Sequence, residues 1–145
     1  MAALILDATV LIGLLDTADA QHGSAVDDVE AADQAGTALL TPASAYSEAL
    51  VSFAHAGRMR DARMAIAAMG ISVEPLTAAI AETAAVLRAN HERLRLPDAI
   101  VLATAQHLNA TLLTYDEQLS RIAHNPLGGP DAQTGKSARS EPKLR

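Results

Sequence analysis

The chain has 145 residues, 50% of them hydrophobic and 19% charged, enough apolar material for one domain with a real core and too much for a disordered segment. It contains no cysteine, which excludes a disulfide framework and a thiolate metal site and is compatible with a reducing cytoplasm. The formal net charge of -6 argues against affinity built on blanket neutralisation of phosphates, unless bound cations offset a local cluster of acids.

The elements are predicted in chain order. Ala3 to Leu6 reads as a short apolar strand; Asp7 follows, and the residues through Leu15 read helical. Asp7 interrupts the apolar run and no basic region precedes it, so neither a signal peptide nor a membrane span fits, and a soluble cytoplasmic protein is expected. His22 to Gln34 reads as an exposed Ala- and Asp-rich helix closed by Gly36, and Thr37 to Leu40 as a second strand. Thr41-Pro42 then opens a helix through His55, because proline is favoured in a first turn and threonine caps it. After Ala56-Gly57, Arg58 to Met69 forms the second arm of a helical hairpin. Gly70 ends that arm, and Ile71 to Val73 makes a third strand stopped by Pro75. Thr77 to His91 is helical, Leu96-Pro97-Asp98 starts a further helix reaching Leu108, and Thr111 to Thr114 is the fourth strand. Strands alternating with helices imply parallel pairing and covered sheet faces, a three-layer α/β class. After Leu127 the composition turns to Gly, Pro, Ser and charge, with four basic against two acidic residues. Residues 1–127 are therefore expected to be the folded domain and 128–145 a disordered tail.

Four acids stand out for chemistry. An acid just after a parallel strand points into the crevice where such sheets bind ligands, which marks Asp7 and also Asp116, two residues past Thr114. Asp98 falls in a first helical turn, where free N–H groups and the helix dipole favour negative charge. Glu48 lies off the bulky Tyr46, Leu50 and Phe53 stripe of its helix, among Ala45, Ala49 and Ser52, and spacing alone does not turn it inward. Separate carboxylates gathered by a sheet are what hold hard divalent cations, and the reading is a metal-dependent nuclease. Each acid alone also has a structural reading, as a helix cap or a solvated helix residue.

Other chemistries find less support. Residues 1 to 130 hold seven arginines and no lysine, which excludes P-loop kinases and the phosphotransfer sites that need a lysine. The five histidines lack zinc-ligand spacing, and no GxSxG occurs. Arg58, Arg60 and Arg63, near the bend between two helices, are candidate phosphate contacts or simply solubilising charges. With Tyr46, Phe53 and Tyr115 its only aromatics, the chain has no platform for stacking bases.

The segments Leu4-Ile5-Leu6-Asp7-Ala8-Thr9, Ser47-Glu48, Leu96-Pro97-Asp98-Ala99 with Ala103-Thr104-Ala105, and Leu113-Thr114-Tyr115-Asp116 resemble, in order, the successive motifs of PIN domains. The resemblance is closest to VapC-type toxins of bacterial toxin–antitoxin pairs and covers about residues 2 to 127. It implies a central parallel sheet of four or five strands flanked by helices, and an acidic pocket holding one or two Mg²⁺ or Mn²⁺ ions. It also implies endoribonuclease cleavage of RNA that leaves 5′-phosphate and 3′-hydroxyl ends. By motif, Asp7, Glu48, Asp98 and Asp116 would be the catalytic, metal-binding acids, supported by Thr9 and Thr114. Glu117, beside Asp116, is an alternative to it. A small antitoxin is expected as partner, received near Leu11, Leu14 and Leu15 and the helix from Ser24, although ordinary core packing explains Leu11 and Leu14 equally well. A homodimer is also expected, using the Met59, Ile66 and Met69 face. The rival expectations are a catalytically idle PIN-like module that binds RNA or protein, and a DNA-directed nuclease in the same pocket.

Overall fold

The computed structural model describes residues 2–125. The expected tail, 128–145, lies outside the described residues. In chain order the elements are β1 (Ala3–Leu6), α1 (Ala8–Leu15), α2 (His22–Gln34), β2 (Ala38–Pro42), α3 (Ala43–His55) and α4 (Met59–Ala68). They continue with β3 (Ser72–Glu74), α5 (Ala78–Asn90), α6 (Leu96–His107), β4 (Thr111–Leu113) and α7 (Glu117–His124). The strands form one sheet in the order β3-β2-β1-β4, and every pairing is parallel.

The register puts like faces together. Ile5 stands opposite Leu40 on one side and Leu112 on the other, and all three belong to the core shared with α5, α6 and α7. Leu4 and Leu6, one residue to either side, belong with Leu39 and Leu113 to the opposite core, against α1, α2, α3 and α4. The alternation of side chains along a strand thus builds two cores around one sheet, which makes the three layers. Positive φ at Gly36 and Gly70, 71° and 72°, ends α2 and α4 in the conformation that glycine adopts without penalty and turns the chain into the next strand.

Several element ends shift by one or two residues from the sequence expectation, β3 for instance running over Ser72–Glu74 rather than Ile71–Val73, and two of the shifts have a clear cause. β2 runs on through Thr41 and Pro42, which pair with Val73 and Glu74, so α3 begins only at Ala43. The reason is a tertiary bond: the fully buried Thr41 hydroxyl donates to the Leu6 carbonyl at 2.8 Å, satisfying an acceptor at the end of β1. Thr41→Val keeps the shape and removes the donor, and should cost about 1–3 kcal/mol in urea unfolding. β4 stops at Leu113 rather than Thr114, because Thr114 turns out of the sheet towards Asp7.

The expected docking faces are largely core. Leu11 is buried and Leu14 and Leu15 pack against the same cluster, together with Ala25 and Val29 of α2. Ile66, expected in a dimer face, is 2% exposed and Met69 packs beside it, leaving only Met59 of that trio outward. Ile66 belongs to the core cluster that includes Leu39 of β2, Ala49 of α3 and Ile71 just before β3. Among the described residues no helix is long and apolar enough to cross a membrane.

Candidate active site

The strand order makes the site. After β1 the chain moves to β2 and β3 on one side, and it returns to place β4 on the other side of β1, so a crevice opens at the carboxyl ends of β1 and β4. Asp7 sits there as the N-cap of α1, its carboxylate accepting from the Val10 amide at 3.2 Å. Only 4% of the residue is exposed. The Thr9 hydroxyl donates to Asp7 Oδ1 at 2.5 Å, and the Thr114 hydroxyl donates to Oδ2.

Those threonines also lace the two strand ends together. The Tyr115 amide donates to Thr9 Oγ1 at 3.1 Å, the Asp116 amide to Thr114 Oγ1 at 3.0 Å, and the Asp7 amide to the Leu113 carbonyl at 3.3 Å. A carboxylate with this many donors is held in one orientation, which a binding site needs and a merely solvated acid does not. Tyr115 braces the loop from outside: its hydroxyl donates to Asp28 of α2 at 2.7 Å, and burial together with that bond pushes the phenol well above its ordinary range.

The other acids arrive from three further elements. Glu48 comes from α3, whose fully buried positions are the small Ala45 and Ala49, with Leu50 beside them, rather than a Tyr46, Leu50 and Phe53 stripe. The small face lets α3 lie close to α1 and α6, and Glu48 rides at its edge. Asp98 lies in the first turn of α6, after Pro97. Asp116 is the N-cap of α7, one oxygen accepting from the Leu119 amide at 3.0 Å. Asp7, Glu48, Asp98 and Asp116 line one cavity of about 60 Å³, with Thr9, Ala45 and Val101 among its other walls. Thr114 stands behind Asp7 rather than on that wall. Glu117 is exposed and faces a neighbouring hollow with Ser120 and Arg121.

Arg95 went unnoticed in the sequence and is the cation of this cavity. Its guanidinium lies 3.2 Å from Asp98 and 3.8 Å from Glu48, with 67% of the side chain exposed. The signal was present in the i, i+3 spacing of Arg95 and Asp98 across a helix start. Asp98 and Glu48 hold Arg95 firmly protonated. Such an exposed pair is weak and is readily displaced.

Burial is the main electrostatic fact. It pushes the Asp7 carboxyl above its ordinary value, against the hydrogen bonds from Thr114, Thr9 and Val10 that favour the anion. It also raises Glu48, helped by the nearby charges of Asp98 and Asp7 and opposed by Arg95. Among the described residues, no three His, Asp or Glu side chains are already closed into a ligand cluster; Arg95 bridges two of the acids instead. The donor set nevertheless suits a hard divalent cation: every candidate ligand is a carboxylate, the cavity is about 60 Å³, and two of the acids carry raised pKa values. Liquid water takes about 30 Å³ per molecule, so a small ion with a water fits that volume.

The parallel sheet with an acidic crevice at its switch point places the protein in the α/β class that binds ligands at strand ends, and the chain belongs to the PIN domain family, whose model matches residues 4–125. The match spans all four acids. Among solved structures the chain is similar to the Mycobacterium tuberculosis toxin VapC20, described as cleaving the sarcin-ricin loop, with a TM-score of 0.65 and 21% identity over 82% of this chain and 94% of that one. It is similar to a chain of a toxin–antitoxin complex from Klebsiella pneumoniae, with a TM-score of 0.63 and 27% identity over 78% of this chain and 86% of that one. VapBC2 from Rickettsia felis, bound to a DNA fragment from its promoter, is similar with a TM-score of 0.67 and 13% identity, over 83% of this chain and 92% of that one. No curated protein matches the chain.

Proposed function

We propose that this chain is a Mg²⁺- or Mn²⁺-dependent endoribonuclease that acts as the toxin of a type II toxin–antitoxin pair in the cytoplasm. One observation carries the reading: four carboxylates from four separate elements line a single cavity at the carboxyl ends of β1 and β4. Asp7 and Asp116 also cap helices, but capping does not require four carboxylates to share one cavity.

Asp7, Glu48, Asp98 and Asp116 would hold the cation, which when bound supplies an activated water and neutralises charge gathering on the phosphate. The chain's own residues do the rest. Thr9 and Thr114 each hold one Asp7 oxygen and so fix the carboxylate's orientation at the cavity wall. Arg95, at the mouth beside Glu48 and Asp98, is free to turn to an incoming phosphate oxygen once those acids have another cation. The bulk of Pro97 and Val101 limits solvent on the inner wall.

An antitoxin partner is supported by the Klebsiella pneumoniae complex, with its cover over the cavity part of this proposal, and the VapC20 description supports a structured RNA as substrate. Homodimerisation is part of the same proposal, on a face other than Ile66. The test is cleavage of labelled single-stranded RNA and, in parallel, single-stranded DNA, with added Mn²⁺, by wild type and Asp98→Asn. RNA cut by the wild type and spared by the variant is the expected result. DNA cut equally well would make it a DNA nuclease, and no cutting by the purified, antitoxin-free protein would leave an idle binding module.

A further inference from the structure

Beside the acid cavity lies a second, larger cleft that the proposed chemistry does not use. It has a volume of about 950 Å³ and runs between the end of α5, the turn that follows it, and α7. Its polar walls include His91, Arg93, Gln118 and Arg121, with Glu92 the acid among them. We propose that this cleft binds the backbone phosphates of the RNA strand next to the cleaved bond, through Arg93 and Arg121. The inference rests on the ribonuclease reading and extends it to the path of the substrate.

Continuity is the first argument. The segment that carries His91 and Arg93 on the cleft wall carries Arg95 at the acid cavity two residues later. On the other wall, α7 begins at Asp116 in the cavity and reaches Gln118 and Arg121 in the cleft. Five residues of helix rise about 7.5 Å, so a strand leaving the cavity along α7 meets the cleft at once.

Charge is the second. In a chain of net charge -6, arginine is scarce, and residues 1 to 130 hold seven. Arg58 is spent on Asp61 at 3.5 Å, and Arg95 on Glu48 and Asp98. Arg93 and Arg121 make no ion pair among the described residues and line the same cleft. Arg121 donates through Nε to the Glu117 carbonyl at 3.3 Å, which leaves its terminal nitrogens for a ligand. Two planar guanidinium groups match phosphate oxygens. The wall has no Phe, Tyr or Trp, so the contact is chiefly to the backbone and tolerates any base.

The experiment compares wild type, Arg93→Gln/Arg121→Gln and Arg88→Gln. Arg88 is an exposed arginine of α5 outside both cavities. Each is assayed for steady-state cleavage of a mixed-sequence single-stranded RNA with Mn²⁺, and for binding of the same labelled RNA by anisotropy across a KCl series, with thermal melting to verify the fold. The double variant is expected to raise KM about tenfold with kcat held, and to lower the slope of log K against log salt by about 1.4, at 0.7 per lost single-strand phosphate contact. Arg88→Gln should behave as wild type. If the wild type cleaves RNA and the double variant matches it in KM and salt slope, or if Arg88→Gln is equally impaired, the subsite is overturned while the ribonuclease reading stands. If the wild type binds RNA in an arginine-dependent way without cutting it, the subsite stands and the ribonuclease reading falls. A wild type that neither cuts nor binds RNA overturns both.

Discussion

Asp7→Asn is expected to lower RNA cleavage by on the order of 10³-fold, beyond the 10–100-fold typical of residues that only orient metal ligands, and to leave the fold intact. Asparagine keeps the N-cap of α1 and an oxygen for the Thr9 hydroxyl, and its NH2 can donate to Thr114 Oγ1 once that hydroxyl turns away. Stability supplies the sharper readout. Burial raises the Asp7 pKa, so the fold prefers its neutral form. That preference is fully present below the unfolded value and is lost as the pH rises through the folded one, leaving the metal-free wild type burdened at neutral pH. Asp7→Asn should therefore melt at or above the wild type in EDTA at pH 7, with the gap closing as the pH is lowered. Added Mn²⁺ should reverse the order, because a cation at 100 times its Kd stabilises the native state by about 2.7 kcal/mol and the variant has lost a ligand. Equal Mn²⁺ shifts in the two proteins would remove the case for a cation at Asp7.

Ile5→Ala is expected to have the largest effect on stability, about 2–5 kcal/mol in the denaturant midpoint at unchanged m-value. Ile5 is 0% exposed and lies in the centre of the sheet between Leu40 and Leu112. Its side chain packs in the core beneath α5, α6 and α7, and those helices cannot collapse fully onto the gap while the strands hold their register. Small domains have only about 5–15 kcal/mol to lose. A loss under 1 kcal/mol would mean that the core is far softer than its packing implies. Cleavage by the folded fraction should persist, because Ile5 and Asp7, though two residues apart, serve the core and the cavity respectively.

Much of the fold was legible because its signals are local. The short apolar run ending in Asp7, Gly36 and Gly70 just past helix ends, and Pro97 opening α6 each report backbone preferences that act over a few residues. The β2 boundary was less legible, since Thr41 stays in the strand for the sake of the Leu6 carbonyl, 35 positions away. Ile66 on a helix otherwise rich in arginine and alanine looked outward for the same kind of reason: its partner surface is built by β1, β2 and the neighbouring helices, which its own sequence does not describe.

The sequence by itself determined the class of the protein, its alternating strands and helices, and the identity of the four acids, because residue type and motif order are properties of the chain alone. Only the tertiary structure decided that Glu48 turns into the same cavity as the other three, that Arg95 stands among them, and that Arg93 and Arg121 share a cleft next door. Periodicity on α3 allowed Glu48 either side. The packing of Ala45 and Ala49 selected one, since a helix face of small side chains can approach its neighbours closely and carry an adjacent carboxylate in with it.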